Sequence, residues 1–277
     1  MLTCLINFQD YIIINIEQLV RLGHENIYVL THNNLIPNFK SVADKINIIC
    51  IDNFEWCNHI NKKHYSNRDN FRNGFWTLTT TRFFYIYEFM NNHNITDVIH
   101  LENDVLIYYN CDDNIIPKLD KKYVYVPFDT FARNIASIMY IPNCLLFKEI
   151  LNNYDYSKND MENFSIIKNK TKLIENLPIF ISNTYNEEHK FVTSNFDKLN
   201  YIFDAAAIGQ YIGGVDPRNI PGDTRGFINE TCIIKYNNYK FVWNIIDCIK
   251  KPFIIINNLQ YPIFNLHIHS KELNKYV

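Results

Sequence analysis

Within the first 110 residues, apolar runs alternate between two periodicities, and that alternation restricts the fold of this 277-residue chain more than any other feature. Leu2–Ile6, Asn26–Thr31 and Asn47–Ile51 are short apolar runs of strand length. Tyr11–Leu22 (YIIINIEQLVRL) instead repeats its apolar residues at helical spacing and is stopped by Gly23. Residues 52–75 are polar and read as a loop. Trp76–Asn92 has apolar residues at 76, 83, 86, 87 and 90, which predicts an amphipathic helix, and Asp97–Tyr109 returns to strand character. The order β-α-β-β-α-β predicts an α/β sandwich with a mainly parallel sheet flanked by helices. Beyond it, Tyr123–Pro127 and Ser137–Ile141 are expected strands, and a helix is expected near 160–175. Asp204–Ile212 reads as a helix ended by Gly213-Gly214, and Ile254–Ile256 and Ile263–His269 as strand-like runs. No repeat or linker divides the chain, so a single domain over 1–277 is expected.

One strand contains an anomaly. In VIHLENDVLIYY (98–109), Glu102-Asn103-Asp104 interrupts a run that otherwise reads as buried. An unpaired buried carboxylate is costly and normally pairs, protonates or binds a metal. Ligands of open α/β sheets bind beyond the carboxyl ends of the strands, which is where the triplet falls. Alternation puts Glu102 and Asp104 on one side of the chain, where they can hold a hard divalent cation such as Mn²⁺ or Mg²⁺. The same spacing also suits an ordinary polar turn after a strand.

Composition removes several classes of function. The formal net charge is −2 and no Lys/Arg-rich run occurs, which argues against a nucleic-acid or anionic-membrane surface. Seven cysteines, an odd number without any CxxC pair, argue against a disulfide framework or a cysteine-rich zinc site. No apolar window is long enough for an integral membrane span. The start, MLTCLINFQDYI, lacks the basic region and cleavage site of a signal peptide, so a cytoplasmic protein is expected.

The stretch 77–110, TLTTTRFFYIYEFMNNHNITDVIHLENDVLIYYN, resembles the core of GT-A glycosyltransferases, in which a helix carrying an Arg precedes a strand ending in D-x-D or E-x-D. TCLINFQDYIIINIEQLVRLGHENIYVLTHN is similar to the first β-α-β unit of those enzymes. FDAAAIGQYIGGVDPRN (203–219) is similar to their acceptor-side helix, and PIFNLHIHSK (262–271) to the C-terminal run whose His completes the metal site. The Asn/Ile/Lys bias is similar to that of glycosyltransferases encoded by large DNA viruses, in which case host cytoplasm or virion is the expected location.

The resemblance implies a Rossmann-like GT-A fold, with residues 1–110 as the nucleotide-sugar half and 111–277 as the acceptor-side half. It implies transfer of a sugar from a nucleotide-diphosphate-sugar donor, UDP-sugars being the first to try, to a hydroxyl on a glycan, protein or lipid. Asp104 is the expected direct ligand of Mn²⁺ or Mg²⁺, with Glu102 acting through water or the ribose, Asn103 between them, and His267 or His269 completing the site. His269 is preferred because Ser270 and Lys271 follow it, and Lys271 can neutralise the diphosphate. Asn7 and Tyr11 are expected at the base, and Arg72 and Arg82 at phosphate or ribose, since guanidinium matches phosphate geometry. Arg82 could equally sit on the exposed face of its helix. Asp204 is the candidate catalytic base with Gln210 further along its helix, although an N-cap role suits Asp204 as well. Asp216, Asp223 and Glu230 are alternative carboxylates. Other functions open to this pattern are a non-catalytic nucleotide- or carbohydrate-binding protein on the same fold, and a metal-dependent nucleotide-sugar hydrolase.

Overall fold

A computed structural model describes residues 1–5, 7–55 and 75–277 of the chain. Strands β1 (Leu2–Leu5), β2 (Tyr28–Thr31), β3 (Asn47–Cys50) and β4 (Val98–Leu101) pair in parallel in the spatial order β3-β2-β1-β4. β5 (Val105–Ile107) leaves the sheet. The sheet continues from β4 through β6 (Val124–Thr130), β7 (Arg133–Asn134), β8 (Ile138–Ile141) and β9 (Ile174–Leu177). Here β4–β8, β8–β6 and β6–β7 are antiparallel, and β6–β9 is parallel. The sheet is therefore mixed, parallel on the side where the β-α-β order predicted it. Residues 131–137, between β6 and β8, are too few for the crossover that parallel neighbours need, so these strands run antiparallel.

The helix Phe75–His93 is not amphipathic in the structure. Residues 80–90 are buried all round, including Arg82 and Glu88. It lies between the sheet and the helices Cys144–Asn152 and Asp160–Thr171. Phe83, Phe84, Phe89 and Met90 pack in one cluster with Val126, Phe128, Met139, Phe147 and Phe164. Each such side chain contributes roughly 1.5–3 kcal/mol on full burial. A helix sandwiched between two layers is apolar all round, which explains the weak periodicity of its sequence.

The C-terminal third holds a separate three-stranded antiparallel sheet of β10 (Lys240–Ile246), β11 (Ile249–Ile256) and β12 (Leu259–Pro262). Sequence reading picked out only Ile254–Ile256 of it. The signal was present in the turn residues: Asp247-Cys248 and Asn257-Asn258 all have positive φ, as tight two-residue hairpin turns require. The last strand, β13 (Asn265–His267), pairs antiparallel with β5, with His267 opposite Val105. Among the described residues, no helix is long and apolar enough to cross a membrane.

The expected Asp204–Ile212 helix begins later, at Ile208, and runs to Gly213. Asp204 stands ahead of it, and Ala206 has a positive φ that breaks helical continuity. The helix lies so close to β13 that a Cβ on Gly209 would fall 2.1 Å from the carbonyl oxygen of His267. Gly209→Ala is expected to cost about 1–3 kcal/mol, the usual range for overpacking. Urea denaturation measures this, and an unchanged midpoint with unchanged slope would contradict the close approach.

Candidate functional site

A cleft of about 470 Å³ opens at the carboxyl ends of β1 and β4. Asn7, Gln9 and Tyr11 line one side, Trp76, Thr79 and Arg82 another, and the 102–104 triplet the floor. Asp160, Asp216, Arg218, His267, His269 and Lys271 complete it. A second cavity of about 410 Å³ lies beside Asn26, Tyr28 and Asp97, at the amino ends of the strands, where open α/β sheets do not bind ligands.

The triplet forms a turn between β4 and β5. Glu102 N donates to Ser137 O at 2.8 Å, and Val105 N to Glu102 O at 3.1 Å. Asn15, buried in the helix Tyr11–Arg21, donates its side-chain amide to the carbonyls of Asn103 and Val105, both at 3.0 Å. Gln18, one turn on, donates to Ile107 O at 3.2 Å. The first helix thus fixes the turn through polar side chains that its apolar spacing conceals. Ile268 N donates to Asp104 O at 2.8 Å, the last backbone link between the two runs before the chain turns.

Glu102 Oε2 and Asp104 Oδ1 each lie 3.2 Å from His267 Nε2. One ligating atom from each of the three residues can be chosen so that all lie within 4.8 Å of one another. Two carboxylates and an imidazole at this spacing suit Mn²⁺ or Mg²⁺, with bonds near 2.0–2.3 Å. The 3.2 Å contacts need a proton on Nε2, whereas a cation in that place takes its lone pair. His267 Nδ1 is buried without a hydrogen-bond partner, so the ring is oriented by its backbone and by the His269 ring, 4.1 Å away between centroids. Burial pushes the Asp104 carboxyl up, but the Lys271 ammonium and the hydrogen bond with His267 outweigh it and hold Asp104 well below the usual carboxylate range.

The structure discriminates among the residues that the sequence singled out. His267, not the preferred His269, meets the carboxylates, because strand pairing ends at His267 and the chain then turns. His269 lies against Gln210, whose Nε2 is 3.3 Å from its Nδ1. Burial, reinforced by His267, pushes the His269 imidazole well below its usual value. Gln210 does not line the cleft. Arg82 is buried rather than exposed, and its guanidinium grips Glu102 through one nitrogen and Asp160 Oδ2 through another, at 3.0 Å. Asn7, Tyr11, Asn103 and Lys271 all line the cleft. Tyr11 OH and Asn103 Nδ2 both donate to Gln9 Oε1, at 2.6 and 2.9 Å, and Lys271 is ion-paired with Asp104. Arg72 lies outside the described residues.

Asp204 is fully buried and does not line the cleft. Its carboxylate accepts from the backbone N–H of Ala207, Ile208 and Gly209 at 2.8, 2.9 and 2.8 Å, and from His267 N at 2.9 Å. Four converging donors leave it no room to act on an acceptor hydroxyl. It caps the 208–213 helix and ties that helix to β13. Of the alternative carboxylates, only Asp216 reaches the cleft. Burial raises its pKa, but hydrogen bonds from Arg218 bring it down to about 2 and clamp the carboxylate in place.

Sequence reading missed Asp160. It is buried, it lines the cleft, and its Oδ1 has no hydrogen-bond partner. Burial pushes its carboxyl up, against the pull of Arg82. In the sequence it is hidden as a first-turn acidic residue beside the capping box formed by Asn159 and Glu162.

No protein-family model matches the chain, and no curated protein matches it. Among solved structures, it is similar to the glycosyltransferase GlyE of Streptococcus pneumoniae TIGR4, at 14% identity and a TM-score of 0.42 over 64% of this chain and 44% of that one. It therefore spans less than half the length of the pneumococcal protein. It is also similar to mouse xyloside xylosyltransferase 1, at 12% identity and 0.44 over 64% and 84% of the two chains. A cytidylyltransferase from Leptospira borgpetersenii matches at 13% identity and 0.39 over 69% and 77%. Likeness of this extent leaves the function to be argued from the side chains of the cleft.

Asp204→Asn is expected to lower stability by about 2–3 kcal/mol, because an NH₂ group then faces backbone donors that had a charged acceptor. Chemical denaturation checks this. A fully stable variant with greatly reduced turnover would instead return Asp204 to the chemistry.

Proposed function

We propose that the chain is a metal-dependent glycosyltransferase of the GT-A type, one domain that moves a sugar from a nucleotide-diphosphate-sugar to a hydroxyl acceptor. The observation that carries this reading is the convergence of Glu102, Asp104 and His267 at the floor of the cleft beside Tyr11. In this reading residues 1–110 carry the donor side, completed by His267 and Lys271 from the C-terminal run. The cleft volume falls within the range of small-ligand pockets, about 300–1,000 Å³.

Charge supports the assignment. Among the described residues, four carboxylates (Glu102, Asp104, Asp160 and Asp216) face three permanent cations (Arg82, Arg218 and Lys271) in the cleft. By itself this balance repels a diphosphate. A divalent cation reverses it, and at short range in a partly desolvated site that reversal amounts to several kcal/mol at an effective dielectric near 20. Bound to Glu102, Asp104 and His267, Mn²⁺ or Mg²⁺ supplies Lewis-acid stabilisation of the departing diphosphate. The chain's own residues do the rest. Tyr11 and Asn7 border the base, and Arg82 fixes the orientation of Glu102. Asp160, held by Arg82, borders the space proposed for the sugar. Arg218 stands at the lip, clamped to Asp216.

The test is a panel of nucleotide-diphosphate-sugars with Mn²⁺, following nucleoside diphosphate release with and without hydroxyl acceptors. Acceptor-dependent release that EDTA abolishes is the expected outcome. Equal release into water points to a hydrolase, and no release with any donor that binds points to a binding protein. With ligand near 100 times its dissociation constant, metal-dependent nucleotide binding is expected to add about 2.7 kcal/mol to apparent stability. Asp104→Asn is expected to remove that gain and to melt as a folded protein without it.

A further inference from the structure

We propose, on the strength of the metal-site reading above, that Lys271 is an exchanging cation. It competes with the divalent ion for Asp104 and transfers to the diphosphate once the ion is bound. The Lys271 ammonium bonds Asp104 Oδ2, while Asp104 Oδ1 lies 3.2 Å from His267. Lys271 thus holds one oxygen of a carboxylate that a metal must share. The carboxylate is nearly buried, at 8% side-chain exposure, whereas Lys271 is 26% exposed and has room to move. A second cation brought to Asp104 repels the ammonium at short range in a site of low effective dielectric, so both cannot keep their positions on it.

The ammonium already faces the open cleft. Lys271 Nζ lies 5.8 Å from the centroid of the Tyr11 ring, on the side of the cleft where the base is proposed to bind. A lysine ammonium on a flexible four-carbon stem can change partners without backbone movement, which an arginine fork cannot do as freely. Lys271 has φ +66°, in the left-handed region, within a turn closed by Lys271 N donating to Ile268 O at 3.0 Å. The other described non-glycine residues in this region are mostly Asn and Asp, which enter it more readily. Glycine fits such a turn without strain, so Lys271→Gly is compatible with this backbone.

Lys271→Gly relieves that strain but removes the cation beside Asp104, so the fold is expected to survive as a cooperatively melting protein. Mn²⁺ affinity is measured by calorimetry without nucleotide in the wild type, Lys271→Gly and Asp104→Asn. Lys271→Gly is expected to bind Mn²⁺ about 10-fold more tightly than the wild type, and Asp104→Asn to lose binding. Inorganic pyrophosphate, titrated with excess Mg²⁺, is expected to bind Lys271→Gly about 10-fold more weakly than the wild type. Equal or weaker Mn²⁺ binding by Lys271→Gly, with binding still lost in Asp104→Asn, overturns the exchange and leaves the metal site standing. Absence of Mn²⁺ binding in both the wild type and Lys271→Gly overturns the metal site and the exchange together. Wild type that binds pyrophosphate no better than Lys271→Gly overturns the transfer to diphosphate.

Discussion

Three backbone pairs, Asn265 with Ile107, Leu266 with Leu106 and His267 with Val105, tie the C-terminal run to the strand that follows the 102–104 turn. Because side chains alternate along a strand, a slip of one residue turns His267 away from the carboxylates and presents an apolar neighbour instead. The register is therefore held from several directions. Asp204 accepts the His267 amide together with three helix amides, and Gly209 lets the helix rest directly on the carbonyl of His267. From the other side, Asn15 and Gln18 anchor the turn and β5 to the first helix. Residues more than 160 positions apart in sequence meet because these polar anchors remove the alternatives.

The cleft is organised by ion pairs as much as by shape. Arg82 joins Glu102 to Asp160, Lys271 meets Asp104, and Arg218 is clamped to Asp216. Each carboxylate that is costly to bury has a cation beside it, which is the usual condition for ionised groups in a partly dry site. The pairs differ in their freedom. Arg82 is wedged in the core helix with its guanidinium 4.7 Å from the Phe83 ring centroid, so it holds Glu102 and Asp160 in fixed relation. Lys271 and Arg218 are more open to solvent and are the side chains suited to exchanging partners with an anion.

Several local readings of the sequence changed meaning in three dimensions. Asp204 matched both a cap and a base, and only its four backbone donors assign it to the cap. Arg82 matched an exposed helix face, yet the helix is covered on both sides by layers that no local window contains. Of the 240–262 sheet only Ile254–Ile256 is legible locally although Asn257-Asn258 carries a hairpin signal, because its strands mix lysine with apolar residues and keep no clean alternation. Asp160 read as an ordinary first-turn acid, since the cleft it borders is closed by segments distant in sequence.

The sequence by itself determined the β-α-β order of the first half and the placement of Glu102 and Asp104 just after a strand, because both follow from periodicities of a few residues. It also narrowed the imidazole to His267 or His269. The tertiary structure alone decided which histidine meets the carboxylates, which carboxylates face the cleft and where the parallel sheet gives way to antiparallel strands. Those outcomes depend on strand register and on contacts between segments far apart along the chain, and local spacing carries no information about either.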